Sequence, residues 1–188
     1  MTEEPSLRLF AAFDVPADIL EEVSSRMVAL RRSLPDARWI PAQNQHVTLR
    51  FFGRTPQGRL EALKGLCEEV AAAHHPGEVR LSALGAFPRL RRARVLWAGI
   101  EDPTGVSAGL NAELEAGARA LGFAPEERAY APHLTLARLR VPAPVPPGAA
   151  EISFEDLPVF SVAHLVVYRS HLSNRGARYE IWKRVALG

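Results

Sequence analysis

The chain has 188 residues, 47% hydrophobic and 23% charged, which fits a soluble globular protein with one sizeable core, or two half-sized lobes that share one. Lys+Arg 23 against Asp+Glu 21 leaves a net charge of +2, so overall charge argues only weakly for a polyanionic partner. The single cysteine, Cys67, excludes an internal disulfide and a cysteine zinc site, while the acidic start "MTEEPSLRLF" and the lack of any run near ~20 apolar residues imply a cytoplasmic protein without a membrane span.

In chain order, "LRLFAAF" (Leu7 to Phe13) reads as a buried strand. A helix follows through "DVPADILEEVSSRMVALRRS", with Asp14 as its cap and Ile19, Val23, Met27 and Leu30 as its apolar stripe. "HVTLRFF" after Pro41 alternates like a strand, and Leu60, Leu63, Cys67 and Val70 recur at the spacing of an amphipathic helix, which gives Cys67 a packing role. "EVRLSALGAF" and "ARVLWAGI" form the two strands of a hairpin. A third helix runs from about Thr104 to Leu121 and stops at Gly122. After Pro132 comes another strand, then the stiff proline-rich loop "VPAPVPPGAA", and "HLVVYRS" and "ARYEIWKRVAL" complete the sheet. Hairpins among alternating strands and helices indicate an α+β fold with largely antiparallel sheets. All of it fits in a single unit, residues 1–188.

Two strands carry nearly the same text: "QHVTLRFFG" and "PHLTLARL" each hold His-x-Thr-Leu, at His46 and His133, 133 − 46 = 87 residues apart. Six histidines and five threonines in 188 positions would place a threonine two after a histidine only about 0.16 times by chance. Strand alternation puts His46, Thr48 and Arg50 on one face, against Val47, Leu49 and Phe51 on the other; His133 and Thr135 share a face opposite Leu134 and Leu136. A polar pair in an apolar strand costs about 1–3 kcal/mol per unsatisfied group if buried, so a plain core would have used more Val or Leu. If a two-fold axis relates the halves, the two histidines face each other across one groove. One neutral imidazole can then take a proton from a nucleophile while the other, protonated, gives one to a leaving oxygen, and the threonine hydroxyls can donate to phosphate oxygens. The motifs contain no cysteine or adjacent carboxylate to complete a metal site. His74 and His75 read as a polar helix end, and His164 and His171 lack a threonine partner.

These motifs, with "LRLFAAFDVP", "RWIPAQNQHVTLRFFG", "GAFPRLRRARVLW", "YAPHLTLARL" and "VVYRSHLSNRGARYEIW" in the same order, resemble the 2H phosphoesterase superfamily. The resemblance is strongest to the RNA 2′,3′-cyclic phosphodiesterases first named 2′-5′ RNA ligases, and it covers nearly the whole chain. It implies a bilobal α+β fold in which two pseudo-symmetric lobes with antiparallel sheets face a central groove, with helices outside and without cofactor or metal. It also implies His46 as proton donor to the leaving 3′ oxygen, His133 as the base that activates water, and Thr48 and Thr135 as phosphate contacts. Gln45 stands where the family often has leucine, and Ala137 where a second basic residue would match Arg50, so Arg50 is expected to place the one extra charge on the phosphate. Tyr130, where an aromatic is usual, either stacks on a base or serves as a core or rim aromatic.

The implied activity is opening of terminal 2′,3′-cyclic phosphates to 2′-phosphomonoesters, with 2′-5′ ligation as the reverse. The implied partner is RNA with a cyclic phosphate end, tRNA fragments included, acted on by a monomer away from membranes. Alternatives are a 2H esterase for small cyclic nucleotides or 2′-5′ oligoadenylate, and a nucleotide- or RNA-binding module without turnover. "RLRRAR" (Arg89 to Arg94) puts four arginines at a hairpin tip, where they either hold RNA phosphates or are simply solvated.

Overall fold

The computed structural model describes residues 5–173 and 176–188; the acidic residues at the start of the chain fall outside it. Nine strands form: β1 (Ser6–Phe13), β2 (Arg38–Trp39), β3 (Val47–Pro56), β4 (Gly77–Phe87), β5 (Ala93–Glu101), β6 (His133–Ala143), β7 (Phe160–Val162), β8 (His164–Ser173) and β9 (Gly176–Ala186). The helices are α1 (Ala17–Arg26), α2 (Val28–Ser33), α3 (Leu60–Ala72) and α4 (Val106–Ala120). The short strands β2 and β7 have too few residues for alternation to reveal them in the sequence.

Strand order is β7-β4-β5-β6-β3-β1-β8-β9, with β2 added beside β6, and every pairing is antiparallel. The sequence divides into two groups of four, β7-β4-β5-β6 and β3-β1-β8-β9, whose inner strands are the two motif strands. Among the described residues the ladder between the groups is one residue pair, Val47 with Leu134.

α3 packs on β8, β9 and α4, and α4 also packs on β3. Their buried faces are Leu63, Cys67, Val70 and Ala71 on α3, and Val106, Leu110, Leu114 and Ala118 on α4, as the periodicity requires. Both sets belong to one apolar core that takes side chains from both strand groups. Cys67 is fully buried, and burial pushes its thiol up to about 12, so it packs and does not react at neutral pH. α4 is capped by Asp102, whose carboxylate accepts from the backbone N–H groups of Val106, Ser107 and Ala108 at 2.9–3.2 Å. Gly122, at φ 78°, follows the helix end as expected.

Two local expectations are corrected. The first helix is interrupted at Met27, although Ile19, Val23, Met27 and Leu30 are all buried. Asp14 does not cap it; Pro16 holds that position, and the Asp14 carboxylate instead accepts from the Tyr168 hydroxyl and, at 2.6 Å, from Arg184. No helix among the described residues is long and apolar enough to cross a membrane.

Candidate active site

The Val47–Leu134 pair fixes the geometry of both motifs at once. Residues opposite each other in an antiparallel ladder share a face, so this register sets His46 against Thr135 and Thr48 against His133, all four on the side away from the fully buried Val47 and Leu134. The two histidines become diagonal neighbours, about 7–8 Å apart in a regular ladder. Histidine and threonine thus occupy alternate corners of a rectangle around this pair. The four side chains are half-buried, and neither threonine hydroxyl has a hydrogen-bond partner among the described residues.

Backbone two residues upstream acts on each imidazole. His133 Nδ1 lies 2.7 Å from the Ala131 carbonyl oxygen; a carbonyl only accepts, so Nδ1 carries the proton and Nε2 keeps a free lone pair. The Asn44 backbone favours the protonated form of His46. Aromatic rings wall both. Phe10, Tyr168 and Tyr179 surround His46 with centroids at 4.7, 5.7 and 5.2 Å, and Phe87 and Trp97 stand 5.1 and 6.2 Å from His133. Trp97 reaches its place because the cross-strand residue is Gly85: a Cβ there would come within 2.1 Å of the indole.

These walls set the electrostatics. Burial is the largest influence on His46 and pushes it down to about 4; Arg138 and His133 add to the depression, and the Asn44 backbone and Asp14 oppose it. His133 is lowered too, chiefly by burial and then by Arg138, against the pull of the Ala131 carbonyl. Both imidazoles are therefore neutral near pH 7.

A cavity of about 420 Å³ opens beside the rectangle, lined in part by Thr48, Phe51, Phe87, Glu126, Tyr130, His133 and Arg138. Phe51 and Phe87 are 52% and 36% exposed on its rim. Tyr130 lines it with its ring, while burial holds its hydroxyl neutral, up to about 12. Among the described residues no three His, Cys, Asp or Glu side chains converge as a metal site requires. His74, His75 and His171 bind elsewhere, to the Val70 carbonyl, the Gly188 carbonyl and Glu180, respectively.

Arg50 does not join this group. It is 1% exposed, with Nε on Glu115 at 2.8 Å and the rest of the guanidinium on the carbonyls of Phe51 and Ala124. The reason is a bulge: opposite β1, Ala12 pairs with Thr48 but Ala11 with Arg50, leaving Leu49 over, so alternation resets after Thr48 and Arg50 turns inward. Strand β6 repeats the device, because Trp97 pairs with Thr135 but Leu96 with Ala137, leaving Leu136 over. Arg50 and Ala137 are thus matching inward positions, and the next residues, Phe51 and Arg138, face out. Arg138, which strand alternation does not single out, lines the cavity together with Arg128, and Arg138 is the arginine that acts on both histidines.

The model of the 2′-5′ RNA ligase superfamily matches residues 18–174. The chain belongs to that superfamily. An RNA 2′,3′-cyclic phosphodiesterase of Methanothermobacter thermautotrophicus is 32% identical over 72% of this chain and 73% of its own length. One of Thermus thermophilus is 31% identical over 96% of this chain and 90% of its own. Among solved structures, E. coli LigT complexed with 3′-AMP superposes with a TM-score of 0.79 at 27% identity, covering 97% of this chain and 99% of that one. The bilobal 2H architecture is therefore that of the superfamily, and the pseudo-symmetric bulges are how this member of it builds its groove.

Proposed function

We propose that the chain is a single two-lobed catalytic domain that opens terminal RNA 2′,3′-cyclic phosphates to 2′-phosphomonoesters. The observation that carries this is the diagonal placement of the two histidines across the Val47–Leu134 pair, with a free threonine hydroxyl beside each and His133 anchored on a carbonyl. The printed names of the relatives support the substrate.

His133 Nε2 takes a proton from water as its oxygen forms a bond to phosphorus. The P–O3′ bond breaks, its electron pair stays on O3′, and protonated His46 supplies the proton that makes the 3′-hydroxyl. Thr48 and Thr135 donate to the non-bridging oxygens, and Arg138 answers their charge. A buried His46 is a poor cation alone, but a cyclic phosphate anion beside it favours the protonated form, so substrate charges its own acid. With a 5′-hydroxyl in place of water, the same two histidines carry out the same displacement and join ends as a 2′-5′ linkage. Phe51, Phe87 and the ring of Tyr130 offer apolar faces to the terminal base.

The test is mass spectrometry of the product from an RNA ending in a cyclic phosphate, with EDTA present. Gain of one water, resistant to a 3′-specific phosphatase, is expected; an untouched end, or turnover that returns only with added zinc or manganese, would overturn the proposal.

A further inference from the structure

The four arginines at the β4–β5 turn are not used by the reaction just described, and their setting is unlike that of the other paired arginines. Arg26, Arg50, Arg80 and Arg184 each bind a carboxylate. Arg89, Arg91, Arg92 and Arg94 are all exposed, and none has a side-chain partner among the described residues. No acid is near in sequence either: from Val79 to Ile100, and again from Arg128 to Ala150, the chain contains no Asp or Glu, although its overall charge is only +2. The stretches that build β6 and most of β4 and β5 thus concentrate positive charge that the whole-chain balance conceals.

The turn is fixed in place and sits at the groove. The partly buried Leu90 packs against the core and its carbonyl accepts from Val145 N–H at 2.8 Å, while Arg92 N–H closes on the Arg89 carbonyl at 2.9 Å. Phe87, just before the turn, and Val95, just after it, both line the cavity, and Val95 pairs with Arg138. The turn that carries the arginines therefore adjoins the cavity, just beyond its lining residues. From Trp97, opposite Thr135, to Ala93 at the turn is four residues, about 13 Å along a strand. A phosphate held between the histidines is out of their reach, and a phosphate further along the same strand is not.

We infer that the Arg89–Arg94 turn is a second phosphate-binding site, which holds the backbone of single-stranded RNA upstream of the cyclic end. It rests on the proposed activity for what occupies the groove. Arginine suits the task, since its planar fork binds phosphate oxygens in pairs, and contacts of this kind position a strand without reading its sequence. The enzyme then distinguishes an RNA end from a free cyclic nucleotide by what lies behind the end.

The experiment compares the wild type with a variant carrying Arg89→Gln, Arg91→Gln, Arg92→Gln and Arg94→Gln together, on two probes: a 2′,3′-cyclic mononucleotide and a short single-stranded RNA ending in a 2′,3′-cyclic phosphate. All four side chains are exposed, and a matching four-lysine variant retains the charge. For the RNA, kcat/KM of the glutamine variant should fall roughly tenfold or more at low salt, and the slope of log kcat/KM against log salt should flatten by about 0.7 for each phosphate the variant no longer neutralises. The lysine variant should keep most of that slope, and the mononucleotide should be opened equally by all three proteins. Equal loss on both probes, or no loss on the RNA, would overturn the inference. Anisotropy of a labelled RNA with the same end separates the two levels: a wild type that opens neither probe but binds RNA through the arginines refutes the proposed activity and leaves the phosphate site standing, while binding unchanged by the glutamine variant refutes the site.

Discussion

The aromatic box around His46 makes a quantitative demand on folding. Burial holds the imidazole at about 4 in the folded protein, against 6.5 for an unperturbed histidine. The unfolded chain therefore takes up a proton more readily than the native one. Because the folded value is depressed, native stability is intact above pH 6.5 and is lost as pH falls from 6.5 towards 4, where the loss levels off. A gap of about 2.5 pH units corresponds to about 3 kcal/mol in full, and to about 2.5 kcal/mol by pH 4.5. Other groups also titrate there, so the measurement is a difference: denaturant unfolding at pH 7.5 and 4.5, for the wild type and for His46→Gln. The wild type should lose about 2.5 kcal/mol more than the variant across that interval. Lowered His133 remains in both proteins and cancels. Equal losses, or a His46 ring resonance that titrates at the ordinary histidine value, would refute the desolvation argument.

Arg50→Met should cost about 3–5 kcal/mol of stability, because it strands the Glu115 carboxylate and leaves two carbonyls without their donor; unchanged stability with a raised KM would return Arg50 to the phosphate. His46→Ala and His133→Ala should each lose on the order of 10²–10⁴-fold in turnover, and a substrate with a much better leaving group at the 3′ position should rescue only His46→Ala. Rescue of His133→Ala instead would exchange their roles. With both histidines lowered, kcat/KM should be bell-shaped with its maximum below pH 6.5, and kcat, which reports the substrate-bound state, should peak at higher pH; a flat profile would remove the acid–base pair.

The repeat at His46 and His133 is legible because period-two alternation holds as far as each threonine, and the helices are legible because their apolar stripes are continuous. Beyond the threonines the same rule misleads. A bulge adds one residue that no local composition demands, so alternation points Arg50 into the groove although it lies inside, and gives no reason to single out Arg138. The second copy does hold a signal: in "HLTLAR", Leu136 and Ala137 are adjacent and both apolar, which breaks alternation one residue after Thr135. Carried to the first copy, that break turns Arg50 inward. Asp14 reads as a cap because it precedes a helix, and its true partners, Tyr168 and Arg184, are more than 150 residues away, beyond any local pattern. The rims at Phe51 and Phe87 likewise depend on which strands the topology brings together.

The single ladder pair between the two strand groups has a mechanical meaning. Among the described residues the two strand groups share only the Val47–Leu134 ladder pair, so a small rotation of one group against the other would turn about it. Displacement grows with distance from a fulcrum, and each histidine and threonine is one residue, about 3.3 Å, from it, whereas the Arg89–Arg94 turn is several residues further out. A rotation about that pair would move the outer groove several times as far as the reactive groups, so admission of a bulky strand and accuracy at the phosphorus atom are separated along one lever.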